Sequence, residues 1–254
     1  MKKYHFIFDN LKKNKSLKKK FLRKYKNYPP HKSDLFIVFG GDGFMLRTLK
    51  KYQKYNIPFY GINRGTFGFL MNKFKTYDVE KFISTARLVS ISPLKMLVKT
   101  KNGKSYSNIA INEVSLLRQT RQASSLQVIK NKRILIKKLI CDGVLISTPA
   151  GSTAYNLSVR GTILSLNSKK IVITPISPFR PRRWKGKVIP ASSIVLIKNL
   201  NVQKRPVSAV ADNAEFRNIK TVKITIDNKV KFKLLYDKNY SLTKKIKIEQ
   251  LRSR

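Results

Sequence analysis

The first third of the chain alternates apolar runs of strand length with segments whose apolar residues recur at helical spacing. The predicted elements are, in order, strand 4–8, helix 17–28, strand 35–39, helix 44–55, strand 57–62 and helix 77–87. Pro29-Pro30 ends the first helix, because proline lacks the N–H that a helix interior needs. Strand and helix in alternation favour a parallel sheet with helices on its faces.

From about residue 93 the pattern changes to short strand-like runs separated by turns. The turn Asn102-Gly103 between two such runs is a strong hairpin signal. Later strands are predicted at 126–129, 144–147, 171–174, 194–200, 222–226 and 230–235. We therefore predict an α/β domain over residues 1–92 and a β-rich, sandwich-like domain over residues 93–235.

Composition excludes several classes of protein. The 254 residues suit one large domain or two modest ones, and 42% hydrophobic residues argue against wholesale disorder. No apolar run approaches the roughly 18–20 residues that a membrane span needs. The only cysteine, Cys141, excludes an internal disulfide, and the two histidines form no cluster for a metal. The sequence predicts a soluble cytoplasmic protein without a membrane partner.

The charge is strongly positive, with 55 Lys+Arg against 12 Asp+Glu and a net charge of +43. Most of these residues are lysines scattered along the whole chain, whereas nucleic-acid readers tend to concentrate arginine and aromatic residues on one face. We therefore predict no nucleic-acid partner. A general attraction for small anionic molecules fits the same charge.

The sequence Gly-Gly-Asp-Gly at 40–43 directly follows an apolar strand and precedes a predicted helix. A glycine turn there exposes backbone N–H groups beside the positive end of the helix, which suits phosphate oxygens. An acid in the same turn, Asp42, is placed to take a proton from an attacking hydroxyl. The alternative is a tight turn in which Asp42 only caps the helix.

Two further acids lie inside apolar runs. Glu113 follows Asn112 in IAINEVSLL, and Asp142 precedes Gly143 in LICDGVLIS. Burial of a carboxylate is costly unless it has a partner, so both positions need a reason. The hydroxyl-rich segment after Asp142 leads into Tyr155, and such residues can hydrogen-bond a ribose and stack on a ring.

Common nucleotide and hydrolase motifs are missing. Gly103-Lys104-Ser105 lacks the preceding glycine of a Walker loop, and no G-x-G-x-x-G follows a strand. Ser152 lacks the flanking glycines of a nucleophile elbow.

Taken together, the chain resembles the NAD kinase family, which phosphorylates the 2′-hydroxyl of the adenosine ribose of NAD. The matching segments are GGDG at 40–43, GINRGTFGFL at 61–70, AINEVSL at 110–116 and DGVLISTPAGSTAYNLS at 142–158. The segments SPFRPRRW at 177–184 and KRPVSAVADNAEF at 204–216 are similar to α-proteobacterial members in particular. The resemblance implies an α/β nucleotide-binding domain to which residues 236–254 return, followed by a β-rich domain for NAD binding and oligomerisation.

The resemblance also assigns roles to individual residues. It makes Asp42 the general base and Gly40, Gly41 and Gly43 the binding site for the ATP phosphates. It assigns NAD binding to Asp42, Gly43, Arg47, Phe69, Asn112, Glu113, Asp142, Thr153, Ala154, Tyr155, Asn156, Leu157 and Ser158. Because Asp142 and Tyr155 can come from a neighbouring subunit in this family, it implies a homodimer or homotetramer.

The implied reaction transfers the γ-phosphoryl group of ATP, or of another donor, to NAD, and makes the chain a phosphotransferase with an alcohol acceptor. A divalent cation, Mg²⁺, is expected to arrive mainly with the nucleotide, since no motif identifies metal ligands. The chain departs from the family pattern at Phe44, Arg160 and Ala214. The alternatives are a lipid or other small-molecule kinase that shares the GGDG turn, and a basic binding protein with a degenerate kinase fold.

Overall fold

The computed structural model describes residues 2–66, 68–74 and 78–238. The chain forms two compact units. The first runs from the start of the chain through Ile91 and resumes at Val230, and the second is Ser92–Lys229. The predicted return to the first domain at residue 236 is therefore too late, and its part beyond residue 238 lies outside the described residues.

The helices and strands follow in chain order. The first unit begins with β1 (Tyr4–Phe8), α1 (Lys12–Lys24), β2 (Leu35–Gly40), α2 (Asp42–Tyr52), β3 (Phe59–Asn63), β4 (Asn72–Lys73), α3 (Glu80–Ile83) and β5 (Arg87–Ile91). The second unit contains β6 (Leu94–Thr100), β7 (Ser105–Ala110), β8 (Glu113–Arg118), β9 (Ser124–Lys130), β10 (Arg133–Cys141), β11 (Gly143–Ser147), α4 (Tyr155–Ser158), β12 (Lys170–Ile176), β13 (Lys187–Pro190), β14 (Val195–Asn199), β15 (Val207–Ala211), β16 (Ala214–Phe216) and β17 (Ile219–Ile226). Strand β18 (Phe232–Tyr236) belongs to the first unit.

The first unit is built on a mixed sheet in the order β1-β2-β3-β18-β5, with β4 paired to β3. The pairs β1–β2, β2–β3 and β3–β18 are parallel, whereas β5 runs antiparallel to β18. Every residue of β2 is buried, as the apolar run at 35–39 predicts for an interior parallel strand. The predicted α/β sheet is confirmed, with one antiparallel edge.

Two predicted helices differ from the structure. Helix α1 ends at Lys24, and Tyr25 is extended, since the main chain at Tyr28 turns to donate to the Tyr4 carbonyl beside β1. The helix predicted over 77–87 is reduced to the single turn α3. Residues 87–91 form β5 instead, because pairing with β18 supplies backbone hydrogen bonds that the local pattern does not reveal.

The second unit is a sandwich of two antiparallel sheets, in the orders β10-β9-β14-β17-β6-β7 and β13-β12-β11-β8-β15-β16. Residues of both sheets form one apolar core, which includes Met96, Leu116, Val144 and Ile197. The Asn102-Gly103 hairpin joins β6 to β7, and Gly103 takes a φ of 77° that favours glycine. These observations confirm the β-rich second domain.

Candidate active site

The turn at 40–43 joins the buried end of β2 to the first residue of α2. Gly41 precedes the helix in an extended conformation, and because it is a glycine at the N-cap position no side chain caps the first turn. A Cβ atom added at Gly41 or Gly43 would meet nothing within 4 Å, so the backbone on this side of the turn is open. The N-terminal, positive end of this 11-residue helix is suited to phosphate oxygens.

The carboxylate of Asp42 holds the segment that follows β3. Its Oδ2 accepts the main-chain N–H of Phe69 at 2.7 Å, and its Oδ1 accepts that of Leu70 at 3.0 Å. Asp42 is the first residue of α2, and these two hydrogen bonds tie it to a segment outside its own helix.

Gly68 lets this segment approach the carboxylate. A Cβ atom there would lie 3.0 Å from Asp42 Oδ1 and 3.3 Å from the Met71 side chain. The Phe69 side chain is half-buried. Gly68 therefore allows the close contact between this segment and Asp42.

The departure at Phe44 has a structural place in the same turn. A Cβ atom at Gly40 would lie 2.6 Å from the Phe44 ring, so glycine at 40 makes room for this aromatic side chain. The exposed Arg47 holds its guanidinium 5.9 Å from the centre of the same ring. Phe44 thus packs against the glycine turn and lies beneath a cation on the surface of α2.

In the second unit, the short turn that leads into β8 carries Asn112 and Glu113. Asp212 holds this turn: its Oδ2 accepts the N–H of Ile111 and its Oδ1 that of Asn112, both at 2.8 Å. The turn is also held by the segment that follows β11. Thr148 donates its N–H to the Asn112 carbonyl at 2.9 Å and its hydroxyl to the Ile111 carbonyl at 2.7 Å.

Gly151 is required by this contact. A Cβ atom there would lie 2.1 Å from the Asn112 carbonyl oxygen and would collide with the backbone. The glycine of STPAGSTAY therefore lets its loop pack directly on the Asn112 turn. The structure brings together two segments that are 35 residues or more apart in the sequence.

Two buried acceptors in this region have no hydrogen-bond partner, namely Asn112 Oδ1 and Glu113 Oε2. Burial, followed by the negative charge of Asp212, raises the pKa of Glu113 from 4.5 to about 8. Buried polar atoms without partners are rare in folded proteins and call for an explanation. A ligand that carries hydroxyl and amide groups would supply the missing hydrogen bonds.

Tyr155 and Asp142 lie in the same region. Burial raises the pKa of the half-buried Tyr155 hydroxyl, and the charges of Glu113 and Asp142 raise it further. The Asp142 carboxylate is paired with the Arg118 guanidinium at 2.5 Å, with both side chains about one-third exposed. Four predicted residues, Asn112, Glu113, Asp142 and Tyr155, are therefore collected in this unit.

The other predicted residues of the 153–158 segment differ in exposure. Thr153 is buried, and its hydroxyl lies 3.4 Å from the Ala150 carbonyl that accepts its hydrogen bond. Ala154 and Leu157 are half-buried, and Ser158 is exposed. These residues line the start and the outer side of the single-turn helix α4.

Asn156 is placed as a support for the loop. Its amide donates to the carbonyls of Ser152 and Thr162, and its Oδ1 accepts the Thr174 hydroxyl at 2.7 Å. The side chain is fully buried. These hydrogen bonds use both ends of the amide, so the geometry gives Asn156 a structural task beside its predicted role in NAD binding.

Sequence reasoning missed Asp212 and Arg118, which hold predicted residues in place. Asp212 lies in the turn between β15 and β16 with a φ of 54°, and the only local signal was an Ala-Asp-Asn turn between apolar runs. The two other departures from the family pattern are Arg160 and Ala214. Arg160 has a φ of 62° at the end of α4, where glycine would be less strained, and Ala214 begins β16.

No group of three or more His, Cys, Asp or Glu side chains in the described ranges could hold a metal ion. Within the same ranges, no helix is long and apolar enough to cross a membrane.

Comparisons with known proteins agree on one family. The model of the ATP-NAD kinase N-terminal domain matches residues 2–90, and that of the C-terminal domain matches residues 111–237. A curated NAD kinase of Rhizorhabdus wittichii is 46% identical over 228 residues, which is 89% of each chain. One from Brucella suis is 40% identical over 98% of this chain and 96% of its own.

Solved structures show the same fold at lower sequence identity. A yeast NADH kinase in complex with NADH gives a TM-score of 0.81 at 19% identity, covering 97% of this chain and 86% of its own. An NAD kinase from Archaeoglobus fulgidus in complex with ATP gives a TM-score of 0.74 at 19% identity, covering 99% of both chains.

Proposed function

The chain belongs to the NAD kinase family, and we infer that it converts NAD to NADP by transferring the γ-phosphoryl group of ATP to the 2′-hydroxyl of the adenosine ribose. Both family models and curated relatives at 40–46% identity over most of the chain support this activity. The alternative of a lipid kinase with a GGDG turn is not favoured, because every one of these matches is an NAD kinase.

Asp42 is the general base in this proposal. The supporting observation is that two main-chain N–H groups, from Phe69 and Leu70, fix both oxygens of its carboxylate at the start of α2. A carboxylate fixed at the start of the helix can accept the ribose hydroxyl proton as the phosphorus–oxygen bond forms. The phosphoryl group then leaves ADP, and the proton stays on Asp42 until solvent removes it.

The glycine turn binds the ATP phosphates. The N–H groups around Gly41 and Gly43 lie at the positive end of α2, where they stabilise the negative charge that phosphoryl transfer redistributes. Gly40 shapes the same turn by making room for Phe44. On the exposed face of α2, Arg47 adds a positive charge for the dinucleotide.

In the second unit, Asn112 and Glu113 hold the hydroxyl and amide groups of NAD. Their buried oxygens without partners support this role, because a bound dinucleotide offers the donors that they lack. Tyr155 contacts a ring of NAD, and Asp142 contacts a neighbouring part of it. The remaining NAD-binding positions of the proposal are Asp42, Gly43, Phe69, Thr153, Ala154, Asn156, Leu157 and Ser158.

A divalent cation, Mg²⁺, accompanies the nucleotide. We assign the cation to the phosphate oxygens of ATP and assign no step to a protein-bound metal. Bound there, it would neutralise charge on the phosphates.

The chain acts in the cytoplasm, where both of its nucleotide substrates are available, and it assembles as a homodimer or homotetramer. The assembly follows from the family resemblance, in which Asp142 and Tyr155 reach NAD from a neighbouring subunit. Sedimentation of the purified protein checks this point, since a monomeric mass with full activity would refute it.

The activity is tested with purified protein in a matrix of phosphoryl donors and acceptors. ATP and polyphosphate are the donors, NAD, NADH and diacylglycerol are the acceptors, and formation of NADP(H) and of phosphorylated lipid is measured. We expect NADP from ATP and NAD. Absence of NADP(H) with every donor would leave a basic binding protein with a degenerate kinase fold, and a phosphorylated lipid alone would favour the lipid kinase.

Replacement of Tyr155 by Ala is expected to raise the KM for NAD about fivefold, because loss of a ring contact of roughly 1 kcal/mol weakens binding of the substrate. The KM for ATP should stay within about twofold of wild type. Steady-state kinetics with each substrate varied in turn measures both constants. Tyr106→Ala is the matched control, since Tyr106 is also partly exposed in the second unit and packs on Phe216. Equal rises in both constants would indicate a structural role for Tyr155.

A further inference from the structure

The turn between β15 and β16 brings an acidic side chain to the Asn112 turn from a distant part of the sequence. Ala211 and Ala214 pair across this hairpin, and Asp212 occupies its first turn position with a φ of 54°. Most residues with a Cβ atom disfavour this left-handed conformation, although Asp tolerates it better than most. An aspartate in a strained backbone conformation suggests that its side chain is needed there.

Asp212 makes three hydrogen bonds to three consecutive residues. Its two carboxylate oxygens accept the N–H groups of Ile111 and Asn112, each at 2.8 Å. Its own main-chain N–H donates to the Glu113 carbonyl at 3.2 Å. Charge-assisted bonds of this length are stronger than neutral ones. The main chain at 111–113 is therefore fixed from the β15–β16 side.

We propose that Asp212 is a positioning residue for phosphoryl transfer to NAD, which fixes the main chain of Asn112 and Glu113 so that their side-chain oxygens meet the dinucleotide. This inference rests on the proposed function, because it takes Asn112 and Glu113 as the residues that hold NAD. Asp212 itself touches no reacting atom in the proposal. Its effect passes through the two residues that it holds.

The charge of Asp212 gives the arrangement a second property. Glu113 is buried, and the charge of Asp212 adds to the effect of burial in raising the pKa of Glu113 to about 8. The other titratable groups of this region are Tyr155, the first residue of α4, and Asp142, which lies between β10 and β11 and is paired with Arg118 at the end of β8. Binding of NAD should therefore depend on pH near 8, with Asp212 setting part of that dependence.

An asparagine at 212 keeps the size of the side chain but removes the charge and one of the two acceptors. In Asp212→Asn we expect the KM for NAD to rise about tenfold or more, with the KM for ATP within twofold of wild type. The transition near pH 8 in kcat/KM for NAD should move to lower pH, because burial remains while the charge of Asp212 is gone. Steady-state kinetics from pH 6 to pH 9.5 measures both effects.

Asp212→Glu separates geometry from charge. The longer side chain keeps the negative charge but moves the carboxylate by one methylene, so the KM for NAD should rise while the pH transition stays near its wild-type position. This variant also decides the question if Asp212→Asn does not fold. Asp227→Asn is the matched control, because Asp227 also accepts a turn N–H, that of Lys229 at 3.0 Å, in the same unit.

The outcomes are distinguishable. A merely structural role would lower the melting temperature in both Asp212 variants without changing the KM for NAD or the pH profile of the folded enzyme, and this result would overturn the inference. Asp227→Asn should match wild type in both constants. Failure of the wild-type chain to form NADP would instead refute the proposed function, and direct NAD binding by calorimetry shows which of the two has failed.

Discussion

Replacement of Asp42 by Asn is expected to lower the turnover number for NADP formation by about 10²–10⁴-fold, because an amide cannot accept the ribose hydroxyl proton. The KM for NAD should change far less, since the side chain keeps its size. Initial rates at saturating ATP and NAD measure the turnover number. Turnover close to wild type would reduce Asp42 to a residue that anchors the 69–70 segment.

The structure adds a second consequence to this substitution. Asp42 accepts the N–H groups of both Phe69 and Leu70, whereas an asparagine has a single acceptor oxygen. One N–H group would then face an NH₂ group, at an expected loss of about 1–3 kcal/mol in the free energy of unfolding. A loss of activity caused by displacement of the 69–70 segment must therefore be distinguished from a loss caused by the missing general base.

Gly68→Ala provides that separation. The added methyl group would lie 3.0 Å from Asp42 Oδ1, so the segment must shift while the carboxylate remains. We expect turnover to stay within about tenfold of wild type. Asp34→Asn is the control for charge, because Asp34 also accepts a main-chain N–H, that of Lys3 at 2.8 Å, in the same unit. A loss in Gly68→Ala as large as that in Asp42→Asn would assign the effect to segment geometry.

The elements around the GGDG turn could be predicted because their signals are local. Leu35–Phe39 is a continuous apolar run, which is typical of an interior parallel strand, and glycines follow it directly. The run at 230–235 was assigned to the wrong domain for the opposite reason. Its apolar residues predict a strand, but they carry no information on whether it pairs with β3 and β5 or with the sandwich.

The same distinction applies to the candidate site. Asp42 and Glu113 could be selected from the sequence, because each is an acid beside an apolar run. Asp212 could not, since its partner Ile111 lies 101 residues away and only the β15–β16 hairpin brings them together. The second role of Asn156 was hidden in the same way, because its hydrogen bond to Thr174 depends on the packing of α4 against β12.

Glu113 gives the chain a stability that depends on pH in a direction opposite to that of most acids. The pKa of its carboxyl rises from 4.5 to about 8 in the folded state, chiefly through burial and then through the charge of Asp212. Between these values the folded state holds a proton that the unfolded state has lost. Unfolding then releases this proton, so the free energy of unfolding falls as the pH rises from about 4.5 to about 8.

Replacement of Glu113 by Gln removes this contribution, because the amide is neutral at every pH. The variant should match wild type in stability below pH 4.5 and exceed it increasingly as the pH rises, at about 1.4 kcal/mol per pH unit and by at most roughly 5 kcal/mol above pH 8. Denaturant unfolding at pH 5, 7 and 9 measures the difference between the two proteins.

Glu215→Gln is the matched control for this comparison, since Glu215 is an exposed glutamate on the β16 side of the same hairpin, 3.8 Å from Arg217. Its stability should follow that of wild type across the whole range. A glutamate whose ionised form destabilises the fold is typical of a residue kept for binding rather than for stability. We therefore expect Glu113→Gln to combine a higher stability at pH 9 with a raised KM for NAD. An unchanged dependence of stability on pH in Glu113→Gln would show that the buried carboxyl does not hold its proton at neutral pH.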